Sequence, residues 1–111
     1  MGSRNFFLIK TDGAIKRVSF DSILFIESFS NYTKVHTVNG EFLTSPSLKD
    51  LELFLPAELF MRIHKSYIIA LDRIKKLDNH IIYLDKDYFF PIGATYRDTV
   101  HSFVSKYSLG A

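Results

Sequence analysis

Short apolar runs separated by turn-forming residues divide most of this 111-residue chain, and this spacing constrains the fold more than any other feature. Residues 23–29 form one such run, and residues 32–38 then alternate between polar and apolar side chains. A period of two places successive side chains on opposite faces of a strand. Asn39 and Gly40 follow, and because both tolerate positive φ they predict a type I′ hairpin turn. The pattern therefore predicts antiparallel strands joined by tight turns.

The same criteria predict short strands along most of the chain, interrupted by two segments with helical spacing. Strands are predicted at residues 6–10, 14–20, 23–29, 32–38, 41–44, 60–63, 67–70, 74–77, 81–84 and 88–92. A first helix of about two to three turns is predicted over residues 47–55, with Ser45 or Ser47 as N-cap and Pro56 at its end. A second helix is predicted over residues 95–107. Its apolar face would consist of Val100, Phe103, Val104 and Tyr107.

We therefore predict a mainly β fold, an elongated antiparallel sheet or sandwich of about eight to ten short strands with two short helices. Eleven Phe and six Tyr favour this class, because aromatic side chains suit the half-buried surface of a strand. The length is that of one domain, which we place at residues 5–107. Residues 1–4 are interpreted as a remnant of a linker or expression tag, and residues 108–111 as a C-terminal tail.

The composition excludes several classes of site. The chain has no cysteine, which excludes disulfides, thiolate metal sites and cysteine nucleophiles and fits the reducing cytoplasm, where we expect the protein. No run approaches about 18 consecutive apolar residues, so we expect no membrane contact from this segment. The net charge of +2 is mildly basic. It does not indicate nucleic-acid binding by itself, but it is compatible with a local basic cluster.

Catalytic motifs are absent from the sequence. The four histidines are His36, His64, His80 and His101, and no two of them have the spacing of metal ligands. No glycine-rich phosphate loop and no nucleophile elbow occurs. We therefore expect no catalytic residue, no metal and no cofactor, and we predict that the chain is not an enzyme.

Residues 60–69 favour a binding function instead. Arg62, His64, Lys65 and Ser66 interrupt an apolar run there, which predicts a polar corner between two strands. Arg and Lys neutralise phosphates, while His and Ser can donate neutral hydrogen bonds to them. A solvated turn in which His64 bonds to a backbone carbonyl explains the same residues equally well. Further donors at predicted loop edges, each most often surface charge, are Asn31, Lys34, Arg73, Lys75, Lys76, Thr95 and Arg97.

Three segments, in order, resemble the motifs of LytTR DNA-binding domains. Residues 23–32, ILFIESFSNY, resemble I-x-x-I-E-A-x-G-N-Y. Residues 60–74, FMRIHKSYIIALDRI, resemble F-x-R-I-H-R-S-Y-I-V-N-L-D-K-I. Residues 91–96, PIGATY, resemble P-V-S-x-x-Y at the start of the last helix. The similarity extends over about residues 5–107.

The resemblance implies the output domain of a two-component response regulator, which binds direct repeats in promoters through loops in the major groove. It also implies an upstream receiver domain through which the protein dimerises. Residues that match the motifs are Asn31, Arg62, His64, Ser66 and Tyr67, and Lys65 replaces an Arg. The family's base-reading positions fall on Thr33, beside Lys34, on Ala70 in place of Asn, and near Thr95, where Arg is common. Gly93 replaces a Ser.

The sequence thus predicts sequence-specific binding of double-stranded DNA by a transcription regulator. Phosphate contacts are predicted for Arg62, His64, Lys65, Ser66 and Arg97. Groove or base contacts are predicted for Asn31, Thr33, Lys34, Ala70, Arg73 and Thr95. The alternative is a β-rich protein–protein interaction module that keeps the fold without DNA recognition, and the replacements at Ala70 and Thr95 favour it.

Overall fold

A computed structural model describes residues 4–110, which form ten β-strands and two α-helices in this range. The strands are β1 (Phe6–Thr11), β2 (Ala14–Ser19), β3 (Ile23–Phe29), β4 (Tyr32–Thr37), β5 (Gly40–Thr44), β6 (Phe60–His64), β7 (Tyr67–Ala70), β8 (Ile74–Asp78), β9 (Ile81–Leu84) and β10 (Phe89–Pro91). The helices are α1 (Leu48–Glu52) and α2 (Arg97–Tyr107). The strand pairs are antiparallel, and the molecule measures 49 × 37 × 25 Å. The prediction of an elongated, mainly β fold is confirmed.

A five-stranded sheet in the order β5-β4-β3-β7-β6 forms the centre of the molecule. β3 lies in its middle, as expected for an apolar run, and its first four residues are all buried. β1 and β2 form a second sheet of two strands, and β10, β9 and β8 form a third sheet of three strands. Each of these smaller sheets can therefore pack against one face of the central sheet.

Side chains of the central strands alternate between two apolar clusters, one on each face of the sheet. In β3, Ile26 belongs to the first cluster and Phe25 to the second, and Ile68 and Ile69 of β7 divide in the same way. The first cluster is completed by β1, β2 and α1, and the second by β9, β10 and α2. Burial on both faces fixes the sheet in close packing, so the turns at its ends are presented on a stiff scaffold.

Helix α1 is shorter than the predicted two to three turns, with five residues. Ser47 is its N-cap: the Ser47 hydroxyl accepts from the Asp50 N–H at 3.1 Å, and the Asp50 carboxylate accepts from the Ser47 N–H at 3.3 Å. This reciprocal capping box closes the start of the helix. The helical spacing continues to Leu55, which is buried, but the backbone leaves the helix after Leu53 in a series of turns.

Helix α2 begins two residues later than predicted, because residues 94–96 form a 3₁₀ turn that precedes it. Val100 is buried, and Phe103 and Val104 pack against the second cluster. Tyr107, predicted for the same face, is 67% exposed, and its ring centroid lies 4.9 Å from that of Phe103. Within residues 4–110, no helix has both the length and the apolar character needed to cross a bilayer.

The predicted type I′ turn at Asn39 and Gly40 is wrong in position. β4 pairs Thr37 with Gly40, so the two-residue turn consists of Val38 and Asn39, and only Gly40 has a positive φ, of 122°. The backbone of a type I′ turn occurs instead at Asp12 and Gly13 between β1 and β2, with φ values of 51° and 75°. The hairpin between β4 and β5 exists as predicted, but the register of the strands decides which residues make its turn.

Candidate nucleic-acid interface

Two hairpin turns lie side by side at one edge of the central sheet. β3 and β7 are antiparallel neighbours, and the N–H of Ser28 donates to the carbonyl of Ser66 over 3.0 Å. The β3–β4 turn, residues 30–31, therefore lies next to the β6–β7 turn, residues 65–66. Segments from the first two sequence motifs, more than thirty residues apart in the chain, meet here.

Two further segments reach the same edge. β5 ends opposite the start of β4, since Thr44 pairs with Thr33, and the chain then runs into α1. The N–H of Gly93 donates to the carbonyl of Ile63 over 2.8 Å, which places the third motif beside the end of β6. We call this surface the turn edge. It comprises residues 30–31, 45–49, 65–66 and 93–96.

Arg62 holds the β6–β7 turn in shape. Its Nε donates to the carbonyl of His64 at 2.8 Å, and one Nη donates to the carbonyl of Lys65 at 2.6 Å. The other Nη donates to the carboxylate of Glu52 in α1. The guanidinium also lies 5.7 Å from the ring centroid of Tyr96, and the side chain is only 15% exposed. Arg62 therefore holds the segments of the turn edge together from within the domain. Its predicted phosphate contact stays a prediction, because few of its N–H groups are left to donate to a phosphate.

His64 is oriented by the turn that it precedes. Its Nδ1 accepts a hydrogen bond from the N–H of Ser66 at 3.0 Å, and its ring stacks obliquely on Tyr67 at 5.1 Å. The expected alternative, with His64 donating to a backbone carbonyl, is not what the structure has. A neutral ring whose Nδ1 accepts must carry its proton on Nε2, so Nε2–H is left as the donor.

Gly93 packs directly against His64. A Cβ built on Gly93 would lie 3.3 Å from the backbone Cα of His64 and 3.2 Å from the Tyr96 ring. This close approach accounts for a residue without a side chain at a position where the family motif has Ser. Thr95 and Arg97, the predicted contacts that follow, are both exposed.

Of the three predicted DNA contacts in the β3–β4 hairpin, one is free at the turn edge and two are engaged within the chain. Asn31 is exposed. Thr33 is 2% exposed, and its hydroxyl donates to the carbonyl of Pro46 at 2.6 Å. Lys34 pairs with Glu41 at 3.1 Å, and its Nζ lies 4.3 Å from the ring centroid of Phe29. Thr33 and Lys34 therefore tie β4 to its neighbours.

A carboxylate pair encloses His36 on the second face of the sheet. Its Nε2 lies 2.9 Å from Glu27 and its Nδ1 lies 3.1 Å from Glu41, while the ring stacks on Phe25 at 4.1 Å. The hydrogen bond from Lys34, joined by the charges of Lys34 and His36, holds the pKa of the Glu41 carboxyl below its usual value. Among residues 4–110, no group of three or more His, Asp or Glu side chains is arranged to hold a metal ion.

Ala70 and Arg73 lie away from the turn edge. Ala70 ends β7 at the opposite edge of the sheet, pairs with Phe60 and is 6% exposed within the first apolar cluster. Arg73 donates to the carbonyl of Asp21 at 2.6 Å and lies 3.8 Å from the Asp85 carboxylate. The structure therefore does not bring these two predicted base contacts together with the others.

The structure adds residues for which the sequence predicted no DNA contact. Tyr32, Ser45 and Lys49 line a concave surface with Asn31 and Lys65, between the two hairpin turns and α1. The only sequence signal for Lys49 is a cation in the first turn of a predicted helix, which is too common to indicate a site.

The comparisons with known proteins concern the sequence and the fold of the domain. Residues 13–105 match the family model described as the LytTr DNA-binding domain. The fold is similar to that of a LytTr DNA-binding domain from Bacillus cereus, with a TM-score of 0.79 and 20% identity over 92% of this chain and 98% of that one.

Two curated transcriptional regulators are similar in sequence. LytR of Staphylococcus aureus is 31% identical over 68% of this chain and 30% of its own length. The CO-responsive regulator RcoM of Rhodospirillum rubrum is 34% identical over 48% of this chain and 22% of its own length. The chain thus spans less than a third of the relatives that it matches. On the family model, the fold and the three motif segments that meet at the turn edge, this chain belongs to the LytTR DNA-binding domain family.

Proposed function

We propose that the turn edge binds double-stranded DNA in a sequence-specific way, with the hairpin turns in the major groove. The observation that carries this proposal is the Ser28–Ser66 hydrogen bond, which places exposed Asn31 beside exposed Lys65. Both lie at the tips of short turns on a rigid sheet, a geometry that allows entry into a groove about 12 Å wide. Family membership supports the same ligand class.

The donors divide into two sets by their position and freedom. Lys65, Ser66, the Nε2–H of His64 and Arg97 are assigned to phosphates, because charge and simple donors suffice there. Asn31 and Thr95 are assigned to the groove, since their side chains are exposed and can donate and accept at base edges. Thr33, Lys34, Ala70 and Arg73 are left out of this surface because they are buried, paired within the chain or at the far edge.

In the whole protein, this domain would act as the output part of a transcription regulator in the cytoplasm. We propose that an upstream receiver domain of a two-component system brings two copies together on direct repeats in a promoter. Binding of each copy alone is weak in this proposal, and the linkage of two copies raises the overall affinity.

The direct test is binding to a labelled duplex pool with a randomised centre, measured by fluorescence anisotropy at several salt concentrations. About four to six phosphate contacts give a slope of about −4 to −5 for log K against log salt. Successive rounds of selection from the same pool should enrich one motif. Binding of the wild-type chain without any salt dependence, or no enrichment, would overturn the proposal and favour a protein–protein interaction module.

A further inference from the structure

We propose that the concave surface between the β3–β4 turn, α1 and the β6–β7 turn is a second phosphate site, in which Lys49 and Lys65 bind the same stretch of DNA backbone. We call it the Lys49 notch. It has a volume of about 310 Å³, and its polar lining includes Asn31, Tyr32, Ser45, Lys49 and Lys65. The inference rests on the proposed function and extends it to a residue outside the family motifs.

The charge of the Lys49 notch is positive and available. Within residues 4–110, neither Lys49 nor Lys65 forms an ion pair, and both are exposed. Arg62 forms the floor, but its charge is already matched by Glu52. No Asp or Glu is among the described residues that line the notch. Two unmatched cations in one concavity favour an anion with several oxygens.

Four of the other lysines have a partner within the chain, whereas Lys10, Lys75 and Lys86 are exposed and do not line the notch. Lys34 is paired with Glu41. Lys16, Lys76 and Lys106 each lie over an aromatic ring, at 5.4, 4.6 and 5.6 Å from its centroid. Lys49 and Lys65 are thus two cations left free on one surface, at the place where three chain segments meet.

Neutral donors complete the Lys49 notch. The side chains of Asn31, Tyr32 and Ser45 make no hydrogen bond to other groups in the described part of the chain, and all three are exposed. By contrast, Ser47 and Asp50 are occupied with each other in the capping box. The backbone phosphates would therefore be held by the side chains of Lys49, Lys65, Tyr32 and Ser45, while Asn31 is left for the groove. The closed start of α1 contributes nothing. Hydroxyl and amide donors beside lysines are a common composition for contacts to phosphate oxygens.

The position of the Lys49 notch determines which phosphates of a bound DNA strand it would contact. Lys65 lies at the tip of the β6–β7 turn and Lys49 in α1, and Asn31 lines the same surface. DNA that receives Asn31 in its groove would have its phosphates flanking that point. The Lys49 notch then fixes the register of the domain on the duplex without reading bases.

The experiment compares three lysine variants in the labelled random duplex assay, namely Lys49→Ala, Lys65→Ala and Lys106→Ala. Lys106 is the matched control, since it is also an exposed helical lysine but stands at the far end of α2. We expect Lys49→Ala and Lys65→Ala each to reduce the magnitude of the salt slope by about 0.9, the value for one lost phosphate contact. The control should leave the slope unchanged, and circular dichroism should give the same spectrum for all four chains.

The outcomes separate the two proposals. A smaller salt slope for Lys65→Ala, with the slope of Lys49→Ala equal to that of the control, would overturn the Lys49 notch and leave the DNA-binding proposal standing. Equal reductions of the slope in Lys49→Ala and Lys106→Ala would mean that the overall charge causes the effect, and this would also overturn the notch. If the wild type has no salt-dependent binding, both proposals fail. Addition of inorganic phosphate, with backbone amide shifts of residues 45–49 followed by NMR, distinguishes a site for any phosphate ion from one formed only with duplex DNA.

Discussion

The N–H of Ser66 donates a hydrogen bond to Nδ1 of His64 over 3.0 Å, and this contact determines which ring nitrogen of His64 is a donor. In the neutral ring the proton must be on Nε2. Long-range ¹H–¹⁵N correlation spectra at neutral to mildly basic pH should therefore give the Nε2–H tautomer for His64. A Ser66→Pro variant serves as the control: it has no N–H at this position, so it should lose the preference for the Nε2–H tautomer. A dominant Nδ1–H tautomer in the wild type would contradict the geometry.

Replacement of Arg62 by Ala should lower stability more than replacement of Lys65. Arg62 donates to the carbonyls of His64 and Lys65 and to Glu52, while the Lys65 side chain has no ion-pair or hydrogen-bond partner within residues 4–110. Hydrogen bonds from a charged group contribute about 1.5–3 kcal/mol each, so R62A should cost about 2–4 kcal/mol after local relaxation. Urea unfolding measures the difference.

DNA binding by the same two variants distinguishes a residue that positions the turn, Arg62, from a residue that contacts phosphate directly, Lys65. We expect R62A to weaken binding with little change in salt slope, because the turn loses its shape rather than a phosphate ligand. Lys65→Ala should change the slope by about 0.9 while its stability stays within about 0.5 kcal/mol of wild type. R62K keeps the charge but not the planar fork, so it should resemble R62A. Full recovery by R62K would argue for a simple charge effect.

Gly93→Ala should destabilise the turn edge. The added methyl would lie 3.3 Å from the backbone Cα of His64, which cannot move without disturbing β6. Overpacking of this kind costs about 1–3 kcal/mol. Thermal unfolding by circular dichroism measures it, with the exposed Ser105→Ala in α2 as a control of similar size. Wild-type stability in G93A would mean that the third motif is not packed against His64 as described.

Glu41 should make stability depend on pH in the acid range. The hydrogen bond from Lys34, aided by the charges of Lys34 and His36, holds the pKa of the Glu41 carboxyl below its ordinary 4.5. A carboxyl with a lower pKa in the folded chain stabilises the fold above its unfolded pKa, and this contribution is lost as pH falls through the folded pKa. The free energy of unfolding of Glu41→Gln should therefore be lower than that of wild type near neutral pH, and this difference should narrow below pH 4.5.

The Glu41 effect is small, since the carboxyl is solvent-exposed and screened by salt. Urea unfolding of wild type and E41Q across the acid range measures the gap, and it should shrink further at high salt. Glu58→Gln is the control, because Glu58 is exposed and forms no ion pair among the described residues. A gap that stays constant with pH would contradict the assigned cause.

Local patterns determined the strands, the helices and one cap. Period-two alternation, apolar runs and turn residues gave the ten strand positions to within one or two residues, because side-chain alternation and turn preferences act over a few neighbours. Ser47 was one of two N-cap candidates for the same reason. The hairpin near Asn39 was predicted correctly, but the type I′ turn at Asn39 and Gly40 was wrong, because the pairing of Thr37 with Gly40 depends on the register of β5.

The candidate site also has features that local sequence predicts and features that it does not. The sequence by itself identified the fold, the family motifs and the donors of the β6–β7 corner, since these depend on residue type and short-range order. Only the tertiary structure decided which donors are free. Arg62 is consumed by two carbonyls and Glu52, Thr33 and Ala70 are buried, and Lys49 joins Lys65 on one concave surface. Whether a side chain is buried, paired or available is set by neighbours distant in the chain, and no pattern confined to nearby residues contains that information.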